Sequence, residues 1–400
     1  MKGNERTTRS HPSSPIRIVR IFSRLNIGGP SRHVILLTAG LNDDTFQTTL
    51  IVGREGATEG NMYADAVTHG VQPLIIPELR REIHPLNDLV ALWKLYRTID
   101  RLKPHIVHTH ASKAGALGRV AARAARVPIV VHTFHGHTFH SYFHPLAARF
   151  FRFIEAQLAR RTTRIVAVSE SVKRDLIAYG IADENRIVVI PLGLELDRFV
   201  TASRFRGDLR RELGLGPNAR VICSVGRLVA VKNHRLLFQA MKYVVEQMSD
   251  AVLVVVGDGE LRRELERAAA SLSLGQRTYF LGWRDDLERI YADADVVVNH
   301  SLNEGTPVAL IEAMASARPV IATRVGGNGD VVRPGETGWL VEGNNPRDLA
   351  DAIVHVLTHE EEAQRIAHQA QQFALGHYGV KRLIERMKEF YLSLLETDAG

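Results

Sequence analysis

Two short strings in this chain carry the residues best suited to chemistry. One runs Gly226-Arg227-Leu228 and then reaches Lys232. The other runs Glu304-Gly305-Thr306-Pro307-Val308 and closes further on at Glu312. Arginine can grip a phosphate through paired N–H groups, and lysine acts on it as a point charge. A glycine beside them lets a ligand come close to the backbone. These residues suit a diphosphate, although an ordinary strand-to-helix turn can carry the same cations on its surface. The second string adds weight. Pro307 begins a helix, where its missing N–H costs nothing. The N–H groups at that start suit a diphosphate or a sugar oxygen. Glu312 falls about two turns into the helix, on the face of Val308, where a carboxylate can accept two hydrogen bonds from a ribose diol. The apolar surroundings of both glutamates speak against simple solvated positions.

The first half of the chain is rich in histidine. His108 and His110 flank Thr109, and His132, His135, His137 and His140 follow near Val131. A His-x-His spacing can ligate a metal, but no carboxylate or cysteine stands beside these pairs. Histidines at strand ends facing a cleft would instead bind phosphate or sugar. Gly28 and Gly29, with His33, form a loop after the first strand and read as a wall of the sugar site. Asp293 and Asp295 read as a cap and turn. With Arg227 and Lys232 taking the phosphate charge, neither a metal ion nor any other cofactor is expected.

The elements that must position these residues alternate along the chain. Strands are expected at Ile16–Phe22, Thr48–Val52, Ile106–His108, Ile129–Thr133, Arg164–Val168 and Arg186–Ile190. The pattern restarts at Val221–Val225, Ala251–Val256, Thr278–Leu281, Val296–Asn299, Val320–Thr323 and Gly338–Val341. Dense apolar runs of this kind suit strands covered on both faces. Helical stretches between them, such as Leu261–Ser271 and Pro307–Ser316, imply parallel sheets in doubly wound α/β domains. The expected division is a tail over 1–14, one Rossmann-like domain over 15–195, a second over 196–375, and a terminal helix over 376–400 that crosses back to the first. Ligands in such sheets bind beyond the carboxyl ends of the strands.

Composition narrows the partners. A hydrophobic share of 45% and a charged share of 24% are those of a globular protein. The one cysteine, Cys223, permits no intramolecular disulfide, which fits a cytoplasmic location. No apolar run is long enough to span a membrane, and the start lacks a signal-peptide pattern. A net charge of +7 favours anionic partners, but no basic module with interleaved aromatics points to nucleic acid. Residues 141–164 offer another use for the charge. Phe143, Leu146, Phe150, Ile154 and Leu158 recur at helical spacing. Arg149, Arg152, Arg160, Arg161 and Arg164 accompany them, against the single acid Glu155. A basic amphipathic helix suits an anionic membrane surface, here the inner face of the cell membrane.

The glutamate pair, the Gly-Arg-Leu string with Lys232, and Gly28-Gly29 with His33 resemble glycosyltransferases of family 4 over about residues 16–395. The string from Ile190 to Phe199 resembles that family's junction between domains. The resemblance implies a retaining enzyme of GT-B architecture, with two Rossmann-like domains facing across a cleft. It implies that Arg227 and Lys232 neutralise the donor diphosphate, that Glu304 contacts the donor sugar, and that Glu312 contacts the ribose. Gly28, Gly29, Gly226, Gly305, Thr306, Pro307 and Val308 would complete the donor site. His135 matches the family's histidine near the reacting centre and, with His33 and His110, would meet the acceptor. The implied reaction moves a sugar from a UDP- or GDP-linked donor to a hydroxyl of a lipid-linked or polysaccharide intermediate. No carboxylate nucleophile stands out in the first domain, so same-face attack is carried over from the family. The alternatives are a nucleotide-sugar epimerase of the same fold and a non-catalytic nucleotide-sugar-binding protein. His300, Thr306 and Asp330 depart from the family's usual residues and are expected to leave the core chemistry untouched.

Overall fold

A computed structural model describes residues 14–26, 28–55, 60–80, 82–136, 145–343 and 345–398. Residues 1–13 of the expected tail, His137, His140 and the start of the 141–164 stretch with Phe143 lie outside the described residues.

The chain divides into two units. The first holds a parallel sheet of β1 (Ile16–Phe22), β2 (Phe46–Val52), β3 (Leu74–Ile75), β4 (Ile106–His110), β5 (Ile129–Phe134), β6 (Arg164–Ala167) and β7 (Ile187–Val189). Its order is β3-β2-β1-β4-β5-β6-β7. The second holds β8 (Arg220–Val225), β9 (Ala251–Val256), β10 (Thr278–Gly282), β11 (Val296–Asn299), β12 (Val320–Thr323) and β13 (Trp339–Val341). Its order, β10-β9-β8-β11-β12-β13, repeats the first pattern. In each sheet the order reverses beside the opening strand, at β1/β4 and at β8/β11. Such switch points are where doubly wound sheets bind ligands.

The strands are apolar on both faces because helices cover both. In β1, Ile16 and Ile18 face one core, and Val19 and Ile21 face another. Arg20 follows Ile16 and Ile18 on their face of the pleat. The core on that face is closed by the final helix, Val380–Asp398, through Leu383, Met387, Tyr391 and Leu394. The chain from Leu383 onward accordingly belongs to the first unit. Pro191–Arg382 belongs to the second, together with Val168–Asp175. Leu194 and Leu196 pack in a core of the second unit, and the Leu194 N–H donates to Tyr378 O at 2.7 Å.

Candidate active site

In the second unit, β8 ends on Val225, and the chain runs through Gly226 and the exposed Arg227 to Lys232. Lys232 Nζ lies 2.5 Å from Glu304 Oε1. The same oxygen accepts from Ser301 Oγ at 2.7 Å and from Asn299 Nδ2 at 3.0 Å. The Glu304 side chain is only 9% exposed, so these three donors hold a largely dehydrated carboxylate. Backbone packing fixes the turn that carries it. Gly327 N donates to Glu304 O at 2.8 Å. At Gly326, with φ +45°, a Cβ would stand 2.1 Å from that carbonyl. Gly226 differs, since a Cβ there would meet nothing closer than Lys232 Cε at 3.6 Å. Packing within the chain does not require that glycine.

The following helix spans Val308–Ala315, with Pro307 at its N-cap and no side-chain cap. Val308 N and Leu310 N donate to Thr306 O and Pro307 O, each at 3.0 Å, so the helix start is only partly open to an anion. Thr306 Oγ1 beside them is buried without a partner. Glu312 is partly buried, and Tyr291 Oη donates to its Oε2 at 3.5 Å.

His300 stands behind Lys232. Its Nδ1 pairs with Lys232 O at 2.6 Å and its Nε2 with Ser224 Oγ at 2.8 Å. This departure from the family's usual residue ties the backbone of Lys232 to the end of β8. Burial lowers the pKa of His300 to about 4, so it acts as a neutral hydrogen-bonding wedge. Asp330 accepts from Ser171 N at 2.8 Å. Asp293 accepts from Gly207 N at 2.6 Å and Arg210 N at 3.1 Å, and Asp295 from Val221 N at 2.7 Å. These two aspartates fasten backbone. Among the described residues, no group of three or more His, Cys, Asp or Glu is arranged to hold a metal ion.

In the first unit, Gly28 caps the Gly29–Gly40 helix, which carries His33. His33, His110 and His135 come together. The ring centroids of His33 and His135 lie 5.1 Å apart, and those of His110 and His135 lie 5.3 Å apart, stacked. His110 Nδ1 is 3.0 Å from His135 Nε2. Behind them His108 stacks on His110 at 4.3 Å. His108 also bonds Tyr391 Oη at 2.5 Å and Thr133 Oγ1 at 2.6 Å. Burial pushes His33, His108 and His110 well below the usual histidine range and His135 down to about 4. Burial pushes the Tyr391 hydroxyl up to about 12, which leaves it a proton donor. Sequence reasoning missed Arg20, His108 as a site residue, and Tyr391. Arg20 pairs in register with His108, and a lone arginine inside the IRIVRIF run was the available signal.

The expected membrane stretch divides. The Pro145–Ala159 helix exposes Arg149, Phe150 and Phe153, while Ile154 and Leu158 are partly buried. Arg152 stacks over Tyr179 at 5.4 Å. Glu155 is buried and paired with Arg119 at 2.6 Å. It therefore does not offset the exposed arginines, contrary to the sequence count. Arg164 lies in β6 rather than on the helix. A second surface was missed. The Pro85–Leu102 helix buries Ala91, Leu95 and Ile99 on one side. It exposes Leu86, Leu89, Val90 and Trp93 on the opposite side, with Trp93 at 59%. Among the described residues, no helix is long and apolar enough to cross a membrane.

Comparison with known proteins matches this arrangement. Residues 205–373 match the family described as Glycosyl transferases group 1, and residues 27–198 match Glycosyltransferase Family 4. The UDP-Gal:alpha-D-GlcNAc-diphosphoundecaprenol alpha-1,3-galactosyltransferase of Escherichia coli is 33% identical over 386 residues, covering 96% of this chain and 98% of that protein. The capsular polysaccharide biosynthesis glycosyltransferase CapM of Staphylococcus aureus is 27% identical over 360 residues, covering 88% of this chain and 91% of that one. The crystal structure of Anabaena Alr3699/HepE in complex with UDP and glucose superimposes with a TM-score of 0.82 at 22% identity, over 94% of this chain and 100% of that chain. At that identity the likeness shows the fold. The two sheets and their neighbours define a protein of GT-B architecture. The chain belongs to glycosyltransferase family 4 and is a glycosyltransferase.

Proposed function

We propose that the chain transfers a hexose, with retention, from a UDP-linked donor to a hydroxyl of a sugar carried on a lipid diphosphate. The observation that carries this reading is the Lys232–Glu304 pair at a switch point, with exposed Arg227 beside it and an uncapped helix start ahead of it. As the bond from the anomeric carbon to the diphosphate breaks, negative charge grows on the leaving oxygen. Arg227, Lys232 and the helix N–H groups are placed to stabilise it. Glu304 faces the donor sugar and Glu312 the ribose. Gly226, Gly305, Thr306, Pro307 and Val308 form the rest of the donor wall in the second unit. The acceptor hydroxyl attacks the same face, and its proton passes to the departing phosphate oxygen. His135, held neutral against His110, orients the acceptor, with His33 beside it.

The acceptor class is supported by the Escherichia coli relative, whose name gives a diphosphoundecaprenol-linked GlcNAc as its acceptor. A lipid acceptor calls for a membrane surface, and the first unit offers one. The apolar outer stripe of the Pro85–Leu102 helix and the exposed Phe150 and Phe153 are accompanied by exposed Arg97, Arg101, Arg149, Arg160 and Arg161. That combination suits the anionic inner face of the cell membrane. The purified chain, given UDP-galactose and a short-chain lipid-diphosphate GlcNAc, is expected to release UDP and form an α-linked disaccharide lipid. Formation of the β-linked product would reject retention. Donor hydrolysis without transfer to any lipid-linked sugar in a panel would reject the acceptor class.

A further inference from the structure

We propose that Arg20, His33, His110 and His135 form a binding site in the first unit for an oxyanion of the phosphate class. The site lies at the β1/β4 switch point and shares no residue with the Arg227, Lys232 and Glu304 group. Arg20 is 0% exposed. Its Nη2 lies 3.5 Å from Tyr391 Oη, while its Nε and Nη1 are buried with no hydrogen-bond partner among the described residues. Removing an unpaired guanidinium from water is costly, and buried polar atoms are nearly always partnered. Both ring nitrogens of His33, Nε2 of His110 and Nδ1 of His135 are also buried without partners among the described residues. The three imidazoles form one group, with the His33 and His110 centroids 6.2 Å apart. The Arg20 charge acts on His33, His108 and His110 alike, which places the guanidinium near all of them.

The chemistry of these atoms selects the occupant. Arg20 can only donate, neutral His33 adds one N–H, and the His110–His135 pair, which spends one N–H between its own rings, adds one more. The group carries a permanent positive charge, and no acid is among its members or its hydrogen-bond partners. A metal ion would add charge to charge. A neutral sugar or a water molecule would accept bonds but leave the guanidinium unbalanced. An oxyanion supplies both the acceptor oxygens and the missing charge. A phosphoryl group of the acceptor and free phosphate share this chemistry. The acceptor source rests on the function proposed above, whereas the site itself does not.

Isothermal titration of the full chain with inorganic pyrophosphate tests the site. The comparison runs across wild type, Arg20→Met, His33→Phe and the double variant Arg227→Ala/Lys232→Ala. Wild type is expected to show two classes of pyrophosphate site. Arg20→Met and His33→Phe should each weaken the same class by about tenfold or more and leave the other intact. The double variant should do the reverse. Because Arg20→Met removes a buried charge while keeping volume, it should fold at least as well as wild type without anion. Unchanged pyrophosphate binding in both Arg20→Met and His33→Phe would overturn the proposal. So would a single class of site abolished by the double variant. Transfer kinetics then separate the sources. An acceptor phosphoryl predicts that Arg20→Met raises the acceptor KM about tenfold with the donor KM unchanged. Free phosphate predicts that both KM values hold and inhibition by added phosphate disappears. If no sugar is transferred under any condition, the proposed function fails while the titration still reads the site.

Discussion

The two switch points occupy the same place in repeated topologies but solve their charge differently. At β8/β11 the Lys232 ammonium is matched by Glu304, and two neutral donors share the carboxylate. At β1/β4 the Arg20 guanidinium has no acid and leaves two nitrogens orphaned. A matched pair can exchange partners. In the proposed donor site, an arriving diphosphate would take over the lysine while Asn299 and Ser301 keep Glu304 in place. An unmatched cation instead draws in the charge it lacks. The repeated strand order thus fixes where ligands bind, and the side chains at the strand ends fix how each place is poised.

The sharpest way to break this comparison is at the matched pair. Arg227→Ala or Lys232→Ala should lower kcat/KM by about 10² to 10³, the scale for losing a group that stabilises charge developing in the transition state. UDP affinity should fall as well. Steady-state kinetics with UDP titration checks this, and wild-type turnover in both variants would remove the second unit's cations from the account.

Next comes the membrane surface proposed for the first unit. Arg149→Gln/Arg160→Gln should weaken sedimentation with anionic vesicles by about thirtyfold, since each cation near such a surface contributes about 1 kcal/mol. Trp93→Ala should weaken it while keeping the salt dependence. Equal sedimentation with neutral vesicles would count against an electrostatic dock.

The glutamates sharpen the comparison within the second unit. Glu312→Gln should lower UDP affinity by about tenfold. Glu304→Gln should reduce transfer and leave UDP affinity intact or raised, because Lys232 loses its resting partner. Exchange of the two effects would reverse their assignment.

The smallest expected effect concerns acid stability. The folded pKa of His300 is about 4, below the usual 6.5, so the unfolded chain binds its proton first as pH falls. The stability that neutral His300 provides is fully present above about pH 6.5 and is lost on the way to about pH 4. His300→Gln should flatten that loss by roughly 1–3 kcal/mol in denaturant titrations across the range. An unchanged slope would remove His300 from the acid response.

Much of the fold was legible because buried parallel strands write themselves as apolar runs. Ala251–Val256, Val296–Asn299 and Val320–Thr323 fall where the runs place them. The two-residue strand Leu74–Ile75 left no such run. The outer stripe of the Pro85–Leu102 helix was hidden because its inner stripe already satisfies the helical pattern. At the second switch point the residue types were readable, but the Lys232–Glu304 pair spans 72 positions and emerges only from the fold. The first switch point was less legible still. Arg20 sits in an apolar run, its register against His108 is a property of the sheet, and Tyr391 comes from 371 positions further on.

The central claim is a division of labour, with donor diphosphate chemistry in the second unit and acceptor contacts in the first. Two-substrate kinetics on Arg227→Ala and Arg20→Met, with UDP-galactose and a lipid-diphosphate GlcNAc varied independently, tests it most directly. The account predicts that Arg227→Ala raises the donor KM and lowers kcat with little change in acceptor KM. It predicts that Arg20→Met raises the acceptor KM and spares the donor KM. A donor KM raised by Arg20→Met, with an acceptor KM raised by Arg227→Ala, would contradict it.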